Sequence, residues 1–211
     1  MSHASPVNQK SLGTQPGQPD DAGLIAESYR VPERFGAVFD RHASAIHGYI
    51  ARRLGRDAAD DLVAETFLVA FRQRASYAPD QPSARPWLYG IATRLVSRRR
   101  REEVRFFRAI ARSGIDPAAD AVAEPVADQS ARRADAQALH SRLAGALAVL
   151  STADRDALLL VADGLSYQEA AQALGVPPGT LSSRLARARR RVRAELGGVN
   201  PADERQEQGH E

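Results

Sequence analysis

At 211 residues the chain has room for one large domain or two small ones, and a 43% hydrophobic content is enough for genuine cores. The absence of cysteine excludes disulfides, thiolate metal sites and a cysteine nucleophile. No apolar run approaches the length that crosses a bilayer, and the N-terminus lacks the basic-then-apolar layout of a secretion signal, so a cytoplasmic protein is expected. The net charge of +3 is small, but its distribution is uneven. Lys10 is the single lysine, and the arginines concentrate in two clusters, Arg94–Arg108 and Arg184–Arg193. Two separated basic stretches favour contact with a polyanion over two patches.

Residues 1–28 are rich in Ser, Gln, Gly, Pro and Asp without an apolar period, and are expected to be a disordered tail. From Pro32, the residues Phe35, Val38, Phe39, His42, Ile46, Tyr49 and Ile50 mark one face of a long helix, which Leu54-Gly55-Arg56 breaks. Neither His42 nor His47 has a set of metal ligands around it in sequence. Asp57 can cap the next helix, which runs to about Ala75 with Leu62, Val63, Phe67, Ala70 and Phe71 inward. Its outer face shows Asp60, Asp61, Glu65 and Arg72. With no nucleophile or ligand set nearby, those carboxylates read as a solvated or protein-docking face rather than an acid–base pair.

Pro79, Pro82 and Pro86 punctuate a loop from Ser76 to Pro86. The helix that follows, to Arg101, carries Trp87, Ile91 and Leu95 on one face and ends in Arg98 to Arg101. The indole of Trp87 suits either a core anchor or an aromatic that stacks on unpaired bases. Ser113 to about Ser130 is Ala, Pro, Gly and acid, with Asp116, Asp120, Glu124 and Asp128, and reads as a linker. Leu139, Leu143, Leu147 and Leu150 mark one further helix and Leu158, Leu159 and Val161 another. Ser151 and Asp154 form a capping box between them, and Gly164 provides the stop.

The last ordered stretch is the most informative. Ser166 and Glu169 form a capping box, Leu165 and Ala170 stand at staple positions, and Gly175 suits a left-handed C-cap. Pro177 and Pro178 open a second helix, whose Leu181, Leu185, Ala188, Val192 and Leu196 form one apolar face. Its polar face offers small hydroxyls and guanidinium forks, which suits a DNA major groove. No segment alternates like a strand, so the expected fold class is all-α, as two small helical domains joined by a flexible acidic linker.

With these residues in view, the chain resembles a sigma-70-class RNA polymerase sigma factor of the small extracytoplasmic-function group, which keeps the second and fourth sigma domains. The resemblance rests on Asp60-Asp61-Leu62-Val63-Ala64-Glu65-Thr66-Phe67 and Pro86-Trp87-Leu88-Tyr89-Gly90-Ile91-Ala92 in the first half. In the second half it rests on Leu165-Ser166-Tyr167-Gln168-Glu169-Ala170-Ala171, Gly175-Val176-Pro177-Pro178-Gly179-Thr180-Leu181 and the arginines beyond. It implies a region 2-like domain at 29–108, a linker at 109–134, a region 4-like domain at 135–196 and a disordered tail at 197–211.

The resemblance also implies roles. Asp61, Leu62, Glu65 and Thr66 would dock on the β′ clamp helices of core polymerase, whose β subunit is a further partner. Trp87, Tyr89, Arg94, Arg98, Arg99 and Arg100 would meet the −10 element of promoter DNA. Thr180, Ser182, Ser183, Arg184, Arg187, Arg190 and Arg191 would meet the −35 element. Many relatives are held by an anti-sigma protein. No catalytic residue, metal site or cofactor is expected. Arg94 stands where the family usually has asparagine and Arg98 where aspartate is common, so the family's base preference there does not carry over. A stand-alone helix-turn-helix regulator is the rival reading, and a nucleic-acid enzyme a more distant one.

Overall fold

The computed structural model describes residues 20–114 and 130–197, and among them every regular element is helical. Helix α1 spans Asp21–Glu27, inside the stretch expected to be an unstructured tail. Asp20 caps it by accepting the Gly23 amide, and Leu24 and Ile25 hold it down by burying almost completely. Two large apolar residues in seven are a weak periodic signal, so composition points the other way.

Helix α2 spans Gly36–Leu54 and α3 spans Arg56–Arg72. Gly55 separates them at φ +88, a conformation that side chains with a Cβ avoid. Asp57 lies in the first turn of α3 rather than at its cap, where its charge still complements the helix dipole. The expected single helix to Arg101 is two, α4 at Arg85–Arg98 and α5 at Arg100–Ser113, because Arg99 leaves helical geometry (φ −93, ψ 29).

The remaining helices are α6 (Ser130–Val149), α7 (Thr152–Ala162), α8 (Tyr167–Leu174) and α9 (Pro178–Glu195). In α6 the expected leucine face is only half used. Leu147 and Leu150 are buried, but Leu139 and Leu143 stay exposed, since α6 meets α5 through small residues such as Gly145 beside Ala111. Ser151 caps α7 by accepting the Asp154 amide, yet the carboxylate half of that expected box is missing: Asp154 holds Arg187 instead. The expected acidic residues of the linker, 116–128, and most of the C-terminal tail, 198–211, fall outside the described residues.

The two halves share one core. Leu88, Ile91 and Ala92 of α4 belong to the same buried cluster as Leu160, Leu165, Ala170, Leu181 and Leu185. Helix α4 lies along α8 so closely that a Cβ on Gly90 would sit 2.6 Å from the Ala173 carbonyl oxygen. Only glycine permits that approach.

Candidate nucleic-acid interface

Helices α8 and α9 build a helix-turn-helix from local rules. The capping box is complete: the Ser166 hydroxyl accepts the Glu169 amide and the Glu169 carboxylate accepts the Ser166 amide at 2.8 Å. Gly175 takes the left-handed cap at φ +62, and Pro178 opens α9. Leu181, Leu185 and Ala188 bury, which turns Thr180, Ser182, Ser183, Arg187, Arg190 and Arg191 to solvent, with Arg184 half-buried. Two of these carry internal partners. Ser183 donates to the Gly179 carbonyl, and Arg187 forks onto Asp154 through Nη2 at 2.9 Å and Nε at 3.4 Å.

The second basic surface forms where α4 meets α5. The turn at Arg99 gathers Arg98, Arg99, Arg100, Arg101, Arg105 and Arg108 around one open concavity. Among the described residues Glu102 is the single carboxylate lining it, 3.9 Å from Arg99. Arg94 is exposed one turn before this cluster. Six guanidinium groups around a concave surface make a phosphate-binding surface by charge alone.

Trp87 is half-buried with its indole against the Tyr77 ring, centroids 5.2 Å apart. Tyr89 departs from expectation. It is 1% exposed, packs at a tilt against the Tyr49 ring and donates its hydroxyl to Asp163 of the C-terminal half. In this arrangement Tyr89 cannot touch DNA. On α3, Asp61 and Glu65 face solvent, whereas Leu62 and Thr66 are buried, Thr66 donating to the Leu62 carbonyl at 2.6 Å. The outward stripe is Asp61, Glu65 and Leu68, the last left 47% exposed.

Sequence reasoning passed over the polar knot that joins the halves. Arg53 of α2 is wholly buried, and its guanidinium donates to Glu103 of α5 at 2.6 Å, to Asp156 of α7 at 2.5 Å and to the Tyr49 hydroxyl. Asp156 also accepts from Ser97 at 3.2 Å. Burial works against the Arg53 charge, but Tyr49, Glu103 and Asp156 hold its pKa above the ordinary value. Burial pushes the Tyr49 phenol up to about 12, so it stays protonated, and its hydroxyl shares a hydrogen bond with Thr93. Arg155 is equally buried and caps the Leu147 carbonyl, while its Nη2 lies 3.1 Å from Glu103 without hydrogen-bond geometry. A second ring closes the edge: Asp163 pairs with Arg52, and Arg85 donates to the carbonyls of Asp163 and Gly164. The signal available in sequence was a charge standing in an apolar register, Arg53 one turn after Tyr49 and Ile50.

Against known families, Sigma-70 region 2 matches residues 38–106 and Sigma-70 region 4 matches residues 140–192. The sigma factor SigK of Mycolicibacterium vanbaalenii is 32% identical over 84% of this chain and 89% of its own. This chain belongs to the extracytoplasmic-function sigma factors. CarQ of Myxococcus xanthus is 33% identical over 78% of this chain and 90% of its own. The solved structure of the sigma factor CnrH in complex with the cytosolic domain of CnrY aligns at a TM-score of 0.57 and 26% identity, over 85% of this chain and 99% of that one. RpoE from Bartonella quintana, solved with the anti-sigma factor NepR, aligns at 0.52 and 26% identity, over 80% and 99%. As a sigma factor, the chain serves RNA polymerase in initiating transcription at promoters, and the stand-alone regulator is not favoured. No helix among the described residues is long and apolar enough to cross a membrane.

Proposed function

We propose that the region 2-like unit, 29–108, supplies polymerase docking and −10 contact, and that the region 4-like unit, 135–196, supplies −35 contact. The observation that carries this division is the separation of two basic surfaces. One is the α4–α5 concavity and the other is the α9 face from Thr180 to Arg191. The first turns of α9 carry short side chains at Thr180, Ser182 and Ser183, which allow close approach to base edges, while Arg190 and Arg191 take phosphates. Melting needs no nucleotide hydrolysis: bases are captured as they open, and stacking with phosphate contacts offsets the cost of unpairing. The protein thus works by binding and not as an enzyme, in the cytoplasm. Polymerase docks on Asp61, Glu65 and Leu68 of α3, with Leu62 and Thr66 holding that helix from beneath.

Tyr89 reaches the −10 strand only after α8 leaves α4, so promoter opening requires the two halves to part. The knot around Arg53 suits a separable contact. It leaves Arg155 Nε buried without a hydrogen bond, a cost that a permanent core would avoid. An anti-sigma protein, of the kind bound to RpoE from Bartonella quintana, would act by keeping the halves together.

Run-off transcription with purified core polymerase on a library of randomised promoters tests the function. Specific initiation only in the presence of this chain is expected. Tight binding to a palindrome without polymerase, and no initiation with it, would overturn the reading.

A further inference from the structure

We infer that Asp21 is a positioning residue for −10 capture, a role that rests on the α4 reading above. Asp21 is 4% exposed, and its carboxylate gathers three donors from two other elements. Oδ2 accepts the backbone amide of Ala84 at 2.7 Å and His42 Nε2 at 2.7 Å, and Oδ1 accepts Arg41 Nη1 at 3.0 Å. Its own amide donates to the Pro82 carbonyl at 3.3 Å.

Ala84 is the N-cap residue of α4, and its own side chain offers that helix no cap. A carboxylate brought from elsewhere in the chain therefore sits at the positive end of the helix that carries Trp87. The same residue pins both ends of a short tether, since Arg41 and His42 belong to α2 while Pro82 and Ala84 belong to the loop. Within that loop Tyr77 donates to the Gln81 carbonyl and packs on the Trp87 indole. Burial, together with the charges of Asp21, Asp20 and Asp80, raises the Tyr77 pKa, so the phenol stays a donor. The chain of contacts runs from Asp21 through the loop to the only tryptophan in the protein.

Without Asp21, three donors are left facing one another and the loop has nothing to close on. Trp87 should then sample orientations that do not stack on an unpaired base. The amide–carboxylate bond can also be removed from its other side. Ala84 has φ −74, which proline adopts, so Ala84→Pro deletes the N–H, and its Cδ displaces the carboxylate from the start of α4 while residue 21 itself is unchanged.

The test compares the full-length parent, D21A, D21N and A84P, each assembled with core polymerase on a promoter selected by run-off transcription. Opening is read by 2-aminopurine placed in the −10 element of duplex and of pre-melted templates. In the free chains, Trp87 is read by acrylamide quenching. For D21A, about tenfold less open complex is expected on both templates, with core affinity within twofold of the parent and Trp87 about twofold more quenchable. D21N and A84P should fall between D21A and the parent. Parental opening by D21A, or by A84P if D21A does not fold, would overturn the inference. So would a loss of core affinity in step with the loss of opening, which marks a role in folding alone. Failure of the parent itself to initiate would overturn the reading of α4, and the inference with it.

Discussion

Arg187 illustrates how a side chain can be in the right place and still be occupied. It projects from the polar face of α9, but its guanidinium is forked onto Asp154 at the start of α7. Exposed pairs of this kind are worth about 0–1 kcal/mol, so DNA can compete for the arginine. Asp154→Ala is expected to raise affinity for −35 duplex about twofold to fivefold, read by fluorescence anisotropy. An unchanged affinity would show that Arg187 does not contact DNA. Arg187→Ala is expected to cost about 1–3 kcal/mol and to relax selection at one −35 position if it reads a base. A uniform loss with a shallower salt slope would mark a phosphate contact instead. Leu68 makes a parallel case on α3. An exposed leucine one turn beyond the carboxylates is the kind of residue that anchors an interface, so Leu68→Ala should weaken core polymerase binding by about 1–2 kcal/mol without lowering the melting temperature.

At the scale of elements, periodicity was a good guide wherever one face of a helix is apolar throughout. The stripe Leu181, Leu185, Ala188 is buried, and the Ser166–Glu169 box, Gly175 cap and Pro178 start all stand where local chemistry puts them. Local rules failed where a partner from distant sequence decides the outcome. Leu139 and Leu143 share the leucine register yet remain exposed, because α6 meets α5 through alanine and glycine. Leu62 and Thr66 lie in a motif with Asp61 and Glu65, but a helix divides adjacent residues between its two faces, and only burial assigns them.

The brief helix α1 was lost to composition, and its anchor Asp21 has a pH signature. Burial raises the Asp21 pKa, but hydrogen bonds from His42, the Ala84 amide and Arg41, with the His42 charge, bring it below the ordinary 3.8. A lowered folded pKa means stabilisation that is complete above the unfolded value and lost as pH falls through the folded one. Thermal melts from about pH 5 downward should therefore lose stability more steeply in the parent than in Asp21→Asn. Equal acid limbs would contradict the bracket.

At the scale of the molecule, the halves are held by a shared apolar core and, beside it, by polar groups that sequence reading assigns to surfaces. Arg53 stands in an apolar register, but Glu103, Arg155 and Asp156 are unremarkable in their own helices, and only the tertiary fold brings the four together. Removing one partner from a buried pair typically costs about 3–5 kcal/mol, because the other charge is stranded. In the proposed parting of the halves that charge is rehydrated, so Asp156→Asn is expected to open the chain rather than unfold it. Small-angle scattering should show a larger radius of gyration while the helical circular dichroism stays constant. Gly90→Leu, which cannot fit against the Ala173 carbonyl, should act in the same direction.

The most direct test of the whole account exploits the absence of cysteine. Cysteines replacing Arg52 and Asp163, whose side chains pair across the closed edge, are joined through disulfides by a short bis-thiosulfonate crosslinker, which releases sulfinate, and assayed by run-off transcription with core polymerase. The crosslinked protein should fail to initiate on a duplex promoter, and reduction should restore initiation to the level of the uncrosslinked variant. Full initiation by the crosslinked protein would contradict the claim that the two halves must part before the promoter opens.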